Sequence, residues 1–275
     1  MTRTLTEQEI QEFRDNGVVY VKAAIDLSWV ERLSQVVETQ MNQPGKWVND
    51  ANPGKTTDRM FTDRYMWQHN SEIKDFIYQS GCAEMAAQAM QSKQIRFYFD
   101  HILVKEPGTA EQTPWHQDIP YWPFLGKQVC SCWVALTPST VKGSSMEFVR
   151  GSHLANTYYK AEVFGKREDH PNNDWTGKSQ GVPVPDINAK REDFDIVGWD
   201  VEPGDALIFS AWTLHGAPGN QSDTQRRAAI STRWLGDDAI WHPHAAADPI
   251  VTQDDVSIKA GEAPKDDAVF PRIVG

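Results

Sequence analysis

The second half of the chain consists of short apolar segments separated by turn residues. At Ile95 the hydrophobic period changes to two, which predicts an extended strand. Further strand candidates follow with no helical pattern between them, at residues 115–118, 129–137, 145–149, 206–209 and 226–234. Six or more short strands joined by Gly and Pro turns favour an antiparallel jelly roll, the double-stranded β-helix. With 275 residues and 40% hydrophobic content, we predict that residues 1–275 form a single domain of mainly β (α+β) class.

Helical segments precede these strands. Thr6 and Glu9 form the pattern of a capping box, and Gly17 ends the first predicted helix. Apolar residues at helical spacing predict further helices at residues 27–41, 72–79 and 84–90. Residues 42–67 mix Pro, Gly, Asn and charged residues, which predicts a loop. We expect the N-terminal helices to buttress the sheet that follows.

Charge and cysteine content limit the partners and the compartment. The net charge of −11 argues against nucleic acid and anionic membrane surfaces, because both bind basic patches. The sequence shows no apolar N-terminal h-region and no long apolar run, so we expect a cytoplasmic protein. Three cysteines do not suggest a disulfide framework. We interpret Cys130 and Cys132, which share a strand face, as small buried hydrophobic residues.

A candidate metal site lies in the segment WHQDIPYWPF. Side chains of an extended strand alternate between its faces, so His116 and Asp118 share one side and Gln117 takes the other. His215, at the far end of the strand predicted at 206–209, is the third candidate ligand. Two histidines and one carboxylate suit non-haem Fe(II) with open positions, although zinc in a hydrolase accepts similar ligands. The structural alternative for the first pair is a strand-end Asx turn beside a half-buried histidine.

A candidate cosubstrate anchor lies on the next strand. Arg226 follows His215 by eleven residues, and alternation places it with Ala228 on the more apolar strand face. We predict that Arg226 faces the interior and binds the distal carboxylate of a dicarboxylate cosubstrate, while Arg227 and Arg233 are solvated charges. The structural alternative is that Arg226 pairs with a buried carboxylate.

Taken together, the candidate residues resemble a known family. The residues that carry the resemblance are His116-Gln117-Asp118, Tyr121-x-Pro123-Phe124, Trp133, His215 and Arg226. They resemble the phytanoyl-CoA dioxygenase family of Fe(II)/2-oxoglutarate-dependent oxygenases, from the opening helix to about Trp234. The resemblance implies that His116, Asp118 and His215 bind Fe(II), that 2-oxoglutarate and O2 are consumed, and that succinate and CO2 are released.

The resemblance also implies further cosubstrate contacts at Trp133 and His101. The structural alternatives are a core tryptophan and a hydrogen-bonded strand histidine. Many relatives carry a serine two residues after the distal histidine, where this chain has Ala217, so one donor to the cosubstrate is missing. The retained carboxylate of Asp118 disfavours halogenation, and we expect a structural role for His153 in the loop after residue 141.

Two long segments lack a clear strand or helix pattern. Residues 154–199 form a polar insertion that we interpret as a lid over the substrate, with disorder as the alternative. The aromatic residues that give this insertion a packing surface are Tyr158, Tyr159, Phe164 and Trp175. Residues 236–275 form an acidic, loop-like tail, in which we expect His242 and His244 to be exposed.

Four aromatic residues are expected around the open side of the iron: Tyr121, Trp122, Phe124 and Trp212. Such a wall in an acidic protein suits a neutral or cationic small molecule, and no basic cluster for an acyl-CoA is evident near the motif. The structural alternative is that these rings pack the barrel mouth. We therefore expect hydroxylation of a small metabolite, with an acyl-CoA hydroxylase as a less favoured option. A non-catalytic, cupin-like metal-binding or sensing protein is the alternative from another class, supported by Ala217.

Overall fold

The computed structural model describes residues 3–161 and 178–275. The helices in these ranges are α1 (Glu7–Asn16), α2 (Leu27–Asn42), α3 (Ser71–Gln79) and α4 (Cys82–Met90). The strands are β1 (Val18–Val21), β2 (Asn49–Ala51), β3 (Met60–Arg64), β4 (Ile95–Lys105), β5 (Thr113–His116), β6 (Phe124–Leu125), β7 (Val129–Ala135), β8 (Glu147–Val149), β9 (Ile196–Gly198), β10 (Ala206–Ser210), β11 (His215–Ala217), β12 (Arg227–Leu235), β13 (Ile240–Trp241) and β14 (Arg272–Val274). None of the described helices has the length and apolar character that a bilayer crossing requires.

The strands form two main antiparallel sheets. The larger sheet has the order β1-β10-β7-β12-β4-β3-β2, with β14 also paired to β4. The smaller sheet has the order β5-β11-β8-β9, and β13 pairs with β6 separately. This is the predicted jelly-roll fold, with the N-terminal helices packed on the larger sheet. The two sheets face each other across the interior in which the candidate ligands lie.

Local signals at the first helix are confirmed. The Thr6 hydroxyl accepts a hydrogen bond from the Glu9 amide at 3.2 Å, and the Glu9 carboxylate accepts one from the Thr6 amide at 2.7 Å. Gly17 ends the helix with φ of 76°, and a Cβ at this position would lie 2.4 Å from His153 Nδ1. The other ring nitrogen of His153 lies 3.0 Å from the Arg14 carbonyl oxygen, so His153 braces the end of α1 as expected.

The larger sheet is covered by helices on one face and lines the interior with the other. On β12, Ala228 and Ile230 belong to the hydrophobic core shared with the helices. Arg227 and Arg233 point from the opposite face into the interior. Because helices cover the outer face, that face carries the apolar residues, while the inner face of β12 is polar.

Three buried cysteines lie in the core between α4 and the larger sheet. Cys82 comes from α4, and Cys130 and Cys132 come from the outer face of β7. All three are free thiols. The interpretation of Cys130 and Cys132 as small buried hydrophobic residues is confirmed.

The predicted loop at residues 42–67 is wrong, because β2 and β3 lie within it. β3 pairs with β4 along its whole length. Its strand pattern is masked by a buried polar residue, Asp63, whose carboxylate accepts hydrogen bonds from the amides of Gly45 and Arg64. Because Asp63 is a buried acid and its neighbours include polar residues that face the cavity, this segment shows no alternation of apolar and polar residues that would predict a strand.

The C-terminal tail is more ordered than its sequence predicts. β14 extends the larger sheet, and β13 pairs with β6. Phe270 and Trp241 of the tail are fully buried against Tyr98 and Phe124. His242 is exposed as expected, but His244 is partly buried and lies 3.1 Å from the Trp122 carbonyl oxygen.

The insertion at residues 154–199 is described only in part. Its C-terminal portion contains β9, which pairs with β8. Its N-terminal portion includes Tyr158, whose ring packs against Trp212, and Tyr159. Phe164 and Trp175, on which the lid prediction also depends, lie outside the described residues.

The packing of the tail predicts a large stability effect at Phe270. Replacing Phe270 with Ala should destabilise the protein by about 3–5 kcal/mol, because the ring is fully enclosed by Tyr98, Phe124 and Trp241. Urea unfolding followed by circular dichroism measures the effect. Leu154→Ala is the control, since Leu154 is 61% exposed and should change the midpoint little. Equal midpoints for the two variants would contradict the packing.

Candidate metal and cosubstrate site

Strand pairing brings the two candidate histidines together. β5 and β11 are antiparallel, with His116 directly opposite His215, and the ring centroids are 4.1 Å apart. Nδ1 of His116 lies 2.8 Å from the Pro114 carbonyl oxygen, and Nδ1 of His215 lies 2.9 Å from the Thr213 carbonyl oxygen. A carbonyl oxygen only accepts, so each Nδ1 carries the proton and each Nε2 presents a lone pair to the centre.

Asp118 completes the group from a turn. β5 ends at His116, and Asp118 has helical backbone angles at the start of a short 3-10 turn, so the predicted extension of the strand to Asp118 is wrong. Its carboxylate oxygen Oδ1 nevertheless lies 3.5 Å from His116 Nε2 and 3.7 Å from His215 Nε2. The three ligand atoms lie within 4.8 Å of one another, and no other His, Cys, Asp or Glu triple in residues 3–161 and 178–275 does so.

The protonation states of the triad favour a divalent cation. Burial alone would raise the pKa of Asp118, but the rings of His116 and His215, when they are protonated, and the charge of Arg233 hold it well below the usual range. Burial lowers the pKa of His215 to about 3, so its imidazole is neutral. The Ser131 hydroxyl donates to Asp118 Oδ2 at 2.8 Å and orients the carboxylate. Imidazole nitrogens with one carboxylate oxygen are the donor set of a non-haem iron centre with open positions.

Gln117, between the two ligands, points the other way and fixes the surrounding chain. Its side-chain amide donates to the carbonyl oxygens of Trp212, at 2.7 Å, and Thr157, at 3.0 Å. Its own amide oxygen accepts a hydrogen bond from the Tyr159 amide at 3.2 Å. Gln117 therefore ties the ligand turn both to the segment before His215 and to the start of the insertion.

A cavity of about 210 Å³ opens beside the triad along the inner face of β12. Arg227 lines it, and its guanidinium lies 5.8 Å from the ring centroid of Trp133. Arg227 Nε donates to the Ser144 carbonyl oxygen at 3.3 Å, and Nη1 donates to the Leu103 carbonyl oxygen at 3.5 Å. Burial lowers the pKa of Arg227 to about 10, so it remains charged at neutral pH.

The predicted inward orientation of Arg226 is wrong. Its guanidinium donates to the Glu106 carboxylate at 2.6–3.0 Å and also pairs with Glu38. It does not line the cavity. The prediction took the more apolar face of β12 to be the interior face. That apolar face in fact packs against the helices, so it is the outer face. The structural alternative of an ion pair with a buried carboxylate is the one observed.

The expectation that Arg227 and Arg233 are solvated is also wrong. Arg233 is buried, with its guanidinium 5.1 Å from the ring centroid of Phe99 and 5.8 Å from that of Trp122. With Arg64, which pairs with Asp248, three arginines line the cavity. A basic cluster therefore does lie by the triad. The expectation of a neutral or cationic substrate assumed that no basic residues lie near the motif, so this cluster removes its basis.

His101 and Trp133 both line the cavity, as expected from their positions. Ser231 lies between them on β12, paired in register with both residues. His101 Nε2 and Ser231 Oγ are buried and have no hydrogen-bond partner within the described part of the chain. Burial holds the pKa of His101 well below its usual value. These unpaired polar atoms line the same cavity as Arg227, and a dicarboxylate cosubstrate would present acceptors to them.

The four predicted aromatic residues divide into two pairs. Tyr121 and Trp122 line the cavity, and the Tyr121 ring meets the His116 ring edge to face. The prediction is wrong for Phe124 and Trp212. Phe124 packs with the tail, and Trp212 lies outside the cavity, where its indole donates to the Gly126 carbonyl oxygen at 2.7 Å. The packing alternative holds for these two rings.

Sequence reasoning missed several lining residues. These are Asn49, Met60, Thr62, Arg64, Thr113, Met146 and Asp248, among others. β3 and the tail, which supply Arg64 and Asp248, gave no pattern that points to a site. Thr113 could have been identified from the sequence, because pairing the strand before His116 with the strand that begins at His215 places Thr113 opposite Ala217. Thr113 is thus the cross-strand neighbour of Ala217, the position at which the resemblance described above implies a serine.

Comparison with known proteins identifies the family. The family model described as phytanoyl-CoA dioxygenase matches residues 13–228. The chain belongs to the phytanoyl-CoA dioxygenase family. Its fold and its iron-type triad agree with that membership. The protein is thus a 2-oxoglutarate-dependent non-haem iron dioxygenase, with iron as cofactor and 2-oxoglutarate as cosubstrate.

Individual relatives are distant but cover most of the chain. Methylphosphonate hydroxylase of Gimesia maris is 22% identical over 240 residues, which is 84% of this chain and 82% of the relative. The 1-deoxypentalenic acid 11-beta-hydroxylase of Streptomyces arenae is 25% identical over 264 residues, 86% of each chain. A solved structure of SnoK, a non-heme alpha ketoglutarate dependent carbocyclase from nogalamycin biosynthesis, has the same fold, with a TM-score of 0.74, 21% identity and coverage of 98% and 97%.

The triad geometry predicts that iron binding depends on His215. Replacing His215 with Ala should reduce bound Fe(II) from about one per chain to well below half, because no other described ligand atom can take its place. Iron content after anaerobic reconstitution and desalting is the measurement. His242→Ala, at an exposed position in the tail, is the control and should retain full iron. Stoichiometric iron in the His215 variant would refute the ligand assignment.

Proposed function

We propose that this protein hydroxylates a small-molecule metabolite at a centre where His116, Asp118 and His215 hold Fe(II). In this proposal Arg227 binds the distal carboxylate of 2-oxoglutarate. The observation that carries the proposal is that Arg227 and the triad line one cavity, with Trp133 beside the guanidinium. Turnover would consume O2 and release succinate and CO2.

The residues of the chain have distinct tasks in this reaction. When bound, iron would activate O2, which is the oxidant, and 2-oxoglutarate would supply two of the four electrons that reduce it. The hydrogen bonds from the two histidines to Pro114 and Thr213 hold the Nε2 atoms in place. Ser131 holds Asp118 in one orientation. The apolar rings of Phe99 and Trp122 exclude water from the cavity wall, which protects the oxidant from side reactions.

Arg227 is better suited than Arg226 to bind the cosubstrate. Two donors of Arg227 have only long contacts to carbonyl oxygens, at 3.3 and 3.5 Å, so the charge of the guanidinium is not neutralised by any described acid. Arg226 already has two carboxylate partners, Glu106 and Glu38. A charge-assisted bidentate contact to a carboxylate would therefore form at Arg227. His101 and Ser231 offer further polar atoms in the same cavity.

A non-catalytic binding or sensing role has little support in this geometry. Its only support is that Ala217 stands where the resemblance implies a serine, so one hydrogen-bond donor to the cosubstrate is missing. Thr113 lies opposite Ala217 and lines the same cavity, so a hydroxyl is available on the neighbouring strand. We propose that Thr113 takes the place of the missing serine.

The substrate is proposed to be small. Two relatives are named for small acids, methylphosphonate and 1-deoxypentalenic acid, which supports a small-molecule substrate for this chain. An acyl-CoA is less favoured, because the three arginines lie inside a cavity of about 210 Å³, where they cannot reach the phosphates of a bulky nucleotide outside it.

We also propose that the whole chain acts as one domain in the cytoplasm. The tail supports the single domain, since β14 completes the larger sheet and Phe270 fills its aromatic cluster. The free thiols of Cys82, Cys130 and Cys132, buried in one core, are compatible with a reducing compartment.

Adjacent arginines provide a matched test of the cosubstrate anchor. Arg227→Gln should weaken 2-oxoglutarate binding by at least about tenfold, because a charge-assisted contact to the distal carboxylate is lost. Arg226→Gln removes the same charge one residue earlier and should leave the cosubstrate dissociation constant within about twofold, although the loss of the Glu106 partner should lower stability. Calorimetric titration of the Fe(II)-loaded proteins without O2 gives both constants. The opposite ranking would overturn the assignment.

A further inference from the structure

We propose that Arg233 binds an anionic group on the substrate, so that the substrate class is a small acid: a carboxylate, phosphonate or sulfonate with an apolar body. This inference rests on the proposed function, since it assigns the substrate of the same site. It replaces the neutral or cationic substrate that the sequence suggests. Five features of the described residues carry it.

The first feature is a buried guanidinium, two of whose nitrogen atoms have no acceptor among the described residues. Arg233 is more than nine-tenths buried and lines the cavity. Its Nε and Nη1 atoms have no hydrogen-bond partner among residues 3–161 and 178–275. A buried cation whose donors are unpaired is costly, and an anionic ligand supplies the missing acceptors.

The second feature is that Asp118 does not satisfy Arg233. The closest approach of the two groups, Nε to Oδ2, is 3.9 Å, which is too long for a hydrogen bond. Asp118 Oδ2 instead accepts from Ser131 at 2.8 Å, and Oδ1 faces the histidines. Arg233 is therefore within ion-pair distance of Asp118 but donates no hydrogen bond to it.

The third feature is the charge balance of the cavity. Its lining arginines are Arg64, Arg227 and Arg233, and its lining carboxylates are Asp118 and Asp248. Counting only these arginines and carboxylates, the described lining carries one excess positive charge. Fe(II) and doubly charged 2-oxoglutarate cancel each other, so the excess persists in the loaded enzyme. A substrate with one negative charge would neutralise it.

The fourth feature is the separation of the arginines. Arg227 and Arg233 are six positions apart on β12, which is roughly 20 Å along an extended strand. Ser131, which holds Asp118, pairs with Arg233, whereas Arg227 lies beside Trp133, farther along β7. One short dicarboxylate on the iron cannot engage both guanidinium groups, so Arg233 remains for a second ligand. Arg64 is already paired with Asp248.

The fifth feature is the surface next to Arg233. Phe99 and Trp122 flank its guanidinium, and Tyr121 closes the same side against the His116 ring. These rings provide apolar contact for the body of a substrate whose acid group faces Arg233. The C–H bond to be oxidised would then lie a few atoms from the acid group, near the triad.

Paired acids and neutral analogues test the inference. The wild-type protein is loaded with Fe(II) and saturating 2-oxoglutarate without O2. It is then titrated calorimetrically with cyclohexanecarboxylate against cyclohexanecarboxamide, and with phenylphosphonate against its diethyl ester. We expect at least one acid to bind about tenfold or more tightly than its neutral analogue. Similar affinities within both pairs would overturn the inference.

Variants at Arg233 identify the residue responsible. Arg233→Gln should abolish the preference for the acid, Arg233→Lys should retain part of it, and Arg226→Gln, outside the cavity, should retain all of it. Iron content and the dissociation constant of 2-oxoglutarate should be unchanged in the Arg233 variants. An intact acid preference in Arg233→Gln, or a loss of iron or cosubstrate binding in place of that preference, would overturn the inference.

Failure of the proposed function gives a different result. A wild-type protein that binds neither Fe(II) nor 2-oxoglutarate would refute the oxygenase proposal itself. A protein that binds both but shows no acid preference would refute only the role of Arg233.

Discussion

The antiparallel pairing of β5 with β11 is the contact on which the site depends. It sets His116 directly opposite His215, and the backbone carbonyls of Pro114 and Thr213 fix both rings with Nε2 toward the centre. Asp118 joins them because the chain leaves the extended conformation after His116 and turns. Gln117 then ties that turn to the segment preceding His215. The main chain thus prepares the ligand geometry before any metal binds, which lowers the cost of ordering the site.

Burial of charge is the second constraint, and it shapes the inner face of the larger sheet. A guanidinium inside a protein is stable only with partners, and each cavity arginine meets this need differently. Arg64 pairs with Asp248, Arg227 contacts two carbonyl oxygens beside Trp133, and Arg233 lies between Phe99 and Trp122. Arg227 and Arg233 therefore lack close acceptors at two positions that are roughly 20 Å apart along β12. That arrangement suits an enzyme that brings two different ligands to one iron.

The sequence predicts the elements well where one rule decides them. The capping box at Thr6, the helices and the strand from Ile95 follow from periodicity and end signals, and His116, Asp118 and His215 follow from motif and spacing. The orientation of β12 could not be read in this way. Alternation separates Arg226 from Arg227, but it does not say which face meets the helices and which meets the cavity. In this protein the apolar face of β12 packs on the helices, and the face that carries Arg227 and Arg233 lines the cavity.

Other errors have related causes. β3 was missed because its buried Asp63 and its pocket-facing residues hide the apolar alternation of a strand. Phe124 and Trp212 follow or precede ligands in the sequence, but the turn after Asp118 directs Phe124 into the tail cluster. Arg64 and Asp248 are far apart in the chain and meet only through tertiary packing. Residues of this kind become visible once the sheets are assembled.

We propose that two arginines with separate tasks serve one iron site, Arg227 for the cosubstrate and Arg233 for the substrate. A crystal structure of the protein grown without O2, with Fe(II) and 2-oxoglutarate, tests it most directly. We expect iron coordinated by Nε2 of His116, a carboxylate oxygen of Asp118 and Nε2 of His215, with the distal carboxylate of the cosubstrate on Arg227 and no cosubstrate atom on Arg233. Electron density for the cosubstrate carboxylate at Arg233, or for iron away from these three side chains, would contradict it.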